Sequence, residues 1–312
     1  IYSNGGDGIY LLSSNTNSIS RNEIYENENG IHTNLSNDNT IDSNIIHYNN
    51  IDGLHLISSN GNRINNNSIS FNEMGMYFYR SSQGDQYKIG GNKIWNNTIG
   101  ISLNASDSNY FGYDTANEIW NNSYGIYMIG SSNNHFNYNR IHNNTCGFFI
   151  TSSNNYFGSN IISNNSYGIH LSQANSIEIS ENKIDNNTIG IYINNSSTNN
   201  IITGNNFILN DPSQYGAYIE GALCKDNEIY LNNFINVTSI SRSLGYDNGG
   251  GNSWYNLNSI EKRGNYWGNY NYISNHSSAT MLPENNPWYW SIPYEIDGDA
   301  SEEDIHPLIA RD

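Results

Sequence analysis

Cationic side chains are scarce: 12 Lys and Arg stand against 29 Asp and Glu in 312 residues, a formal net charge of −17. A surface this acidic repels phosphate backbones, which excludes nucleic-acid binding. Cysteine is almost missing, with Cys146 and Cys224 alone. In the repeat described below they lie more than three rungs apart. At about 4.8 Å per stacked rung, that is too far for a disulfide. Both are expected as free thiols, Cys146 as a small apolar filler at its turn, so cysteine usage leaves the compartment open. No apolar run approaches the roughly 18 residues of a membrane-spanning helix. Leucine heptads are lacking too, which argues against helical and leucine-rich repeats. No secretory leader is present, and the chain opens in mid-repeat at Ile1, as expected of a mature or truncated product.

What the sequence does have is asparagine, about a fifth of all residues, and a phrase of glycine, apolar, any, apolar that recurs ten times. It begins at Gly8, Gly30, Gly53, Gly75, Gly100, Gly125, Gly147, Gly168, Gly190 and Gly216, at intervals of 21 to 26 residues. Such alternation marks a short strand with one buried face. Two apolar anchors follow in each unit. The first column runs Ile19, Ile41, Ile64, Ile89, Phe111, Phe136, Phe157, Ile179, Ile202, Ile229. The second runs Ile24, Ile46, Ile69, Ile94, Ile119, Ile141, Ile162, Ile184, Phe207, Phe234. Strands this short cannot bury a face alone, so like must stack on like. The expected fold is all-β: a right-handed parallel β-helix, a solenoid of about ten coils with three short strands each.

Asparagine fits that fold. One stands two residues before each second anchor, from Asn22 and Asn44 to Asn205 and Asn232, and another follows most anchors by three, from Asn27 and Asn49 to Asn187 and Asn210. Stacked amides form hydrogen-bonded ladders. Asparagine also tolerates the left-handed backbone of sharp turns, and the phrase glycines are expected to serve the same turns. Periodicity fades near Ser241. The expected domains are therefore a β-helix over 1–240 and an aromatic-rich capping segment over 241–312, with Trp254, Trp267, Trp288 and Trp290. A cap would cover strand edges that otherwise pair with other chains. The opposite end has none, so it either lost upstream coils or docks end-on.

The middle position of each phrase should point outward. Read coil by coil it gives Tyr10, His32, His55, Tyr77, Ser102, Tyr127, Phe149, His170, Tyr192 and Tyr218. A row of aromatic and imidazole rings suits sugar contact or a protein partner, and equally suits simple stacking between rungs. A second outward row holds Tyr25, His47, Trp95, Trp120 and His142. One patch has the residue types of proton-transfer chemistry. His32 and His55 should be neighbours, Asp52 precedes His55 by three, and Tyr77 and Arg80 belong to the next rung, whose loop Ser81 to Lys88 is long. A lyase or epimerase acting on uronate sugars needs a base, a proton donor and a cation. The patch holds one carboxylate, where glycoside hydrolysis requires two.

The recurring Asn-x-Ile-x-x-Asn-x-x-Gly-Ile unit resembles the NosD-like β-helix proteins, sometimes grouped with carbohydrate-binding and sugar-hydrolysing β-helices. The tail is similar to the closing signature of archaeal surface members: Asn252-Ser253-Trp254, Gly264-Asn265-Tyr266-Trp267-Gly268, Ile292-Pro293-Tyr294 and Asp304-Ile305-His306-Pro307-Leu308. The resemblance spans the chain and implies copper delivery or surface-layer association. A copper ion would take His32 and His55 as a two-nitrogen site, with no Cys or Met beside them. A calcium loop is not expected: where relatives alternate Asp and Gly, this chain has Thr280 to Trp288, with Asp297 and Asp299 nearby. No cofactor or resident metal is thus assigned. The chain is expected to be extracellular or cell-surface and non-catalytic, binding polysaccharide or assembling with like subunits into a layer or filament. The alternatives are a uronate lyase or epimerase and a copper-handling protein. Sequons at Asn34, Asn66, Asn96, Asn104, Asn121, Asn143, Asn164, Asn186, Asn194, Asn195, Asn236 and Asn275 are glycosylation candidates if the chain is exported by an archaeon or eukaryote.

Overall fold

The computed structural model describes residues 1–236, 243–257, 264–268, 294–297, 303–304 and 307–308. Among the described residues every regular element is a strand. All pair in parallel except Tyr294–Glu295 with Glu303–Asp304. The fold is the stacked parallel β-solenoid that the repeat predicts. It divides into two compact units, Ile1–Ile161 and Ile162–Asp312.

In the first unit the glycine phrases become the strands Ile9–Leu12, Ile31–Asn34, Asp52–Ile57, Met74–Tyr79, Ile99–Asn104, Tyr124–Ile129 and Cys146–Thr151, stacked in that order. Register is kept rung by rung: Tyr10 lies beside His32, His32 beside His55, and Tyr77 beside Ser102. A second sheet runs from Glu23–Tyr25 through Lys93–Trp95 and Glu118–Trp120 to Arg140–His142. The third side is interrupted. Ser18–Ser20, Thr40–Asp42 and Arg63–Asn65 form one sheet, and Tyr110–Gly112, His135–Asn137 and Tyr156–Gly158 pair in another. Between them the rung that follows the long loop contributes single bridges at Ile89 and Gly90. The interior holds the expected columns, with Ile41, Ile64, Ile89, Phe111, Phe136 and Phe157 fully buried. Each such side chain contributes about 1.5–3 kcal/mol.

The second unit repeats the plan with Tyr167–Ser172, Ile189–Asn194, Tyr215–Ile219 and Gly245–Asp247 on one side. Parallel pairing continues beyond Ser241: Gly245–Asp247 adds to Tyr215–Ile219, and Tyr266–Trp267 adds to Asn233–Asn236. Over that last rung Phe234, Trp267 and Tyr294 stack at 4.2 and 3.9 Å. The indoles of Trp254 and Trp267 donate to Asp247 and Asp304 at 3.1 and 2.9 Å. Trp288, Trp290, Asn275, the stretch Thr280 to Trp288 and Asp299 lie outside the described residues.

Amide ladders run up the interior corners. In the first unit each of Asn22, Asn44, Asn67, Asn92, Asn117 and Asn139 donates to the next at 2.8 to 3.1 Å. The second expected ladder runs from Asn27 to Asn144. Asn210 departs from it: its amide turns to Asp185, and its backbone N–H donates to Gln214. Two corrections concern backbone conformation. The left-handed residue is the one before most ladder asparagines, such as Ser43, Asn66, Tyr48 or Phe71, and not the ladder asparagine itself; Ala116, before Asn117, is an exception. The phrase glycines are not left-handed either. They are glycine because adjacent rungs touch there: a Cβ on Gly100 would lie 2.4 Å from the Gly125 carbonyl oxygen and 2.9 Å from Ile119.

Candidate functional site

The outward row of the first unit begins as a cluster of paired acids and imidazoles. Asp7 Oδ2 is 2.8 Å from His32 Nδ1, and Asp52 Oδ2 is 2.7 Å from His55 Nδ1. Asn29 joins the two acids. Its amide nitrogen donates to Asp7 Oδ1 at 2.7 Å, and its oxygen accepts the Asp52 N–H at 3.1 Å. Asp7 is a second carboxylate of the patch, so the expectation of Asp52 alone is corrected. The acid pairs with a histidine 25 residues on, one rung plus three positions, a relation visible only after the coils are aligned.

An ionised carboxylate at Nδ1 fixes the Nδ1–H tautomer and leaves the Nε2 lone pair as the working atom of each ring. The two rings are neighbours, with centroids 4.6 Å apart and planes at 52°. Their side chains are 18% and 17% exposed, and Asp52 is buried. His32 Nε2 and Asp52 Oδ1 are buried and have no hydrogen-bond partner among the described residues. Unsatisfied buried polar atoms are costly and call for an explanation. Tyr10 closes one end against His32 at 4.8 Å, and Tyr77 closes the other against His55 at 5.0 Å, edge-on. Met74, which the sequence reading did not place beside this pair, lies one rung from Asp52 in the strand register. Arg80 is not part of the cluster. Its guanidinium sits 5.0 Å from the Tyr79 ring, in the turn after the strand.

Further along the row the rings serve one another. Tyr77 leans toward Asn104 across the buried Ser102. Tyr127 and Phe149 stack at 5.2 Å and 10°. In the second unit His170, Tyr192 and Tyr218 form the row. His170 Nε2 meets Asn194 Oδ1 at 3.0 Å, and burial holds its pKa below the ordinary histidine value. The Tyr192 hydroxyl bonds Glu220, and burial together with that carboxylate pushes its pKa up to about 12. Tyr218 is also raised, by burial first and then by Tyr246, on which it stacks at 4.0 Å. Beside them Asn194, Asn195, Glu220 and Leu223 line a cleft of about 370 Å³.

The other sequons among the described residues fall into three settings. Asn34 and Asn104 precede Ser36 and Ser106, whose buried hydroxyls belong to a serine ladder. Asn66, Asn96, Asn121, Asn143, Asn164 and Asn186 are the left-handed turn residues, and Asn236 ends its strand. Sequence reasoning missed the serine ladder from Ser14 to Ser152, and a third asparagine ladder through Asn17, Asn39, Asn109, Asn134 and Asn155. The signal was present, because each of these asparagines stands two residues before a first-column anchor.

Fold and site together define a parallel β-solenoid with carboxylate-held imidazoles on adjacent rungs. The family model "Periplasmic copper-binding protein (NosD)" matches residues 1–114 and 112–272. The chain belongs to the NosD family. No curated protein matches it. Among solved structures it is similar to the Azotobacter vinelandii mannuronan C-5 epimerase AlgE6 A-module, at 16% identity and TM-score 0.44, over 81% of this chain and 64% of that one. It is also similar to the periplasmic alginate epimerase AlgG, at 16% identity and TM-score 0.39, over 72% and 60% of the two chains. The chain thus spans less than two thirds of either structure.

Proposed function

We propose that the protein is an export-side solenoid that holds a copper ion, as cargo, between His32 and His55. The observation that carries this reading is the buried, unpartnered Nε2 of His32 beside a second imidazole whose Nδ1 is likewise held by a carboxylate. Imidazole suits copper, and a carboxylate on the far ring nitrogen raises ligand basicity and fixes ring orientation. Among the described residues no three His, Cys, Asp or Glu side chains gather as ligands. A two-nitrogen site matches cuprous ion, which accepts low coordination, and leaves the ion open to transfer. The Met74 thioether, a soft donor, stands one rung from Asp52. The family's description as periplasmic and copper-binding supports both halves of the reading.

The test is an anaerobic titration of cuprous ion held by a chromophoric competitor, on the wild-type chain and on His32→Ala and His55→Ala. Binding tighter than micromolar, lost in either variant, supports the site. Wild-type binding no tighter than micromolar overturns it.

A second reading, pairing with like subunits through the outward row, is favoured by the half-buried Tyr127 and Phe149. Their faces are turned to one another, so a partner meets ring edges and not open faces. Concentration-dependent oligomers that vanish in Tyr127→Ala would establish it, and a monomer at all concentrations would dismiss it. Uronate lyase or epimerase chemistry is the weakest of the readings, because Arg80 packs on Tyr79 and supplies no cation to the imidazoles.

A further inference from the structure

A groove of about 600 Å³ lies on the first unit where the second sheet turns into the next glycine phrase. Three successive rungs build it with one short motif each: Asn96 with Thr98, Asn121 with Ser123, and Asn143 with Thr145. The left-handed backbone of Asn96, Asn121 and Asn143 swings their carboxamides out of the ladder. The ladder amides beneath, Asn97 and Asn122, spend their donors on the next rung and on backbone carbonyls, so they form a closed floor. The three outer carboxamides and three hydroxyls make no side-chain hydrogen bond to the described residues. The second unit contrasts with this. There the equivalent Asn186 donates to Asn164 at 2.7 Å and accepts from Gln214 at 3.0 Å, so the amides are occupied. In the strands that lead into these turns, Trp95 and Trp120 stack on each other at 5.0 Å and 6° and do not line the groove.

We propose that this groove binds a neutral, unbranched polysaccharide running along the stacking direction. No ionisable side chain lines it, so it offers nothing to a charged ligand, and the net charge of −17 repels acidic polymers. Carboxamides both donate and accept, and hydroxyls do the same, which is the complement of a sugar hydroxyl pair. The rung spacing of about 4.8 Å is close to the advance per unit of an extended hexose chain. One carboxamide and one hydroxyl per rung therefore repeat in step with the polymer. The Phe71 ring supplies the apolar part of the lining. The proposal is independent of the copper reading, which uses other residues.

The test is affinity electrophoresis of the full chain through gels carrying hydroxyethyl cellulose, xylan or alginate. The key variant is Asn96→Gly/Asn121→Gly/Asn143→Gly, because glycine keeps the left-handed turns while removing the amides. Retardation by a neutral polymer, weakened on the order of tenfold or more in the triple variant and unchanged in His55→Ala, is the expected result. Free migration through both neutral gels overturns the proposal, as does retardation that the triple variant retains. Mass spectrometry of native material showing covalent glycan on these asparagines would also overturn it, since the groove would then be filled by the protein's own modification.

Discussion

Replacing Asn117 by alanine removes four hydrogen bonds. Its amide nitrogen donates to the Ile89 carbonyl and to Asn139 Oδ1, both at 2.8 Å. Its oxygen accepts from the Asn92 N–H at 3.1 Å and from the Asn92 amide at 3.0 Å. Most partners have a second bond to fall back on. The Ile89 carbonyl keeps the Gly112 N–H, Asn139 Oδ1 keeps the Asn117 N–H, and the Asn92 amide keeps Ile64 and Gly90. The Asn92 N–H keeps nothing. Stranding one buried donor costs about 1–3 kcal/mol, and each of the other lost bonds about 0.5–1.5 kcal/mol. The expected loss is therefore on the order of 4 kcal/mol, a large share of an ordinary domain's stability. Asn50 is an exposed asparagine outside the ladders. Its alanine variant should shift stability by less than about 0.5 kcal/mol. Urea unfolding of both variants, followed by indole fluorescence with Trp95 and Trp120 as reporters of the nearby rungs, measures the difference. Equal midpoints would refute the assignment of stability to buried amide ladders. The double variant Asn92→Ala/Asn117→Ala should fall short of the sum of its parts, because both substitutions remove the same side-chain bond between the two residues.

Gly100→Ala should destabilise by more than about 1–3 kcal/mol, because the new methyl would meet the Gly125 carbonyl at 2.4 Å; an unchanged urea midpoint would show that the rungs have room to part. Burial pushes the Cys146 thiol up to about 12, so in a Cys224→Ser background it should resist a thiol reagent at mildly alkaline pH until denaturant is added. Rapid stoichiometric labelling of the native protein would contradict that burial. His170 has a folded pKa below its ordinary 6.5, so the unfolded chain takes up the proton first. Its contribution to stability is then present above 6.5 and lost as pH falls below it. His170→Asn should flatten the acid side of the stability profile, and an unaltered profile in urea titrations across that range would remove the histidine from the account.

Much of the fold was legible because its requirement is periodic. Ile41, Ile64 and Ile89 recur at the spacing that a stacked rung demands, and so do Asn44, Asn67 and Asn92. Position in the repeat therefore stood in for position in space. Turn chemistry was harder to read. Asparagine is common at left-handed positions, yet the buried Asn44 is not left-handed and the Ser43 before it is, because the ladder needs the amide aimed inward. The glycines were assigned to turns when close packing of carbonyls between rungs explains them. The candidate site was half legible. His32, His55 and Asp52 were found within one or two repeats, whereas Asp7 became visible only when its coil was laid against the next. Ring orientation could not be read at all. The sequence places Tyr127 next to Phe149, but whether their faces look outward or at one another depends on rotamers set by the neighbouring rung.

The ladders also act as a reading frame. In the first unit most rungs offer their neighbours the same amides and hydroxyls at the same heights, with Gln83 standing in for one asparagine, so such rungs are interchangeable tiles. Asn44 and Asn67, bonded directly, are 23 residues apart. Excising residues 45–67 would join Asn44 to Ser68, put Ile69 where Ile46 stood, and leave the columns in phase. Removing one residue more from within a strand would turn the rest of that strand to the wrong face, whereas turns and loops absorb rung lengths of 21 to 26 residues. Length in such a protein is adjustable in whole tiles or in loops such as Ser81 to Lys88, while the phase of each strand is fixed.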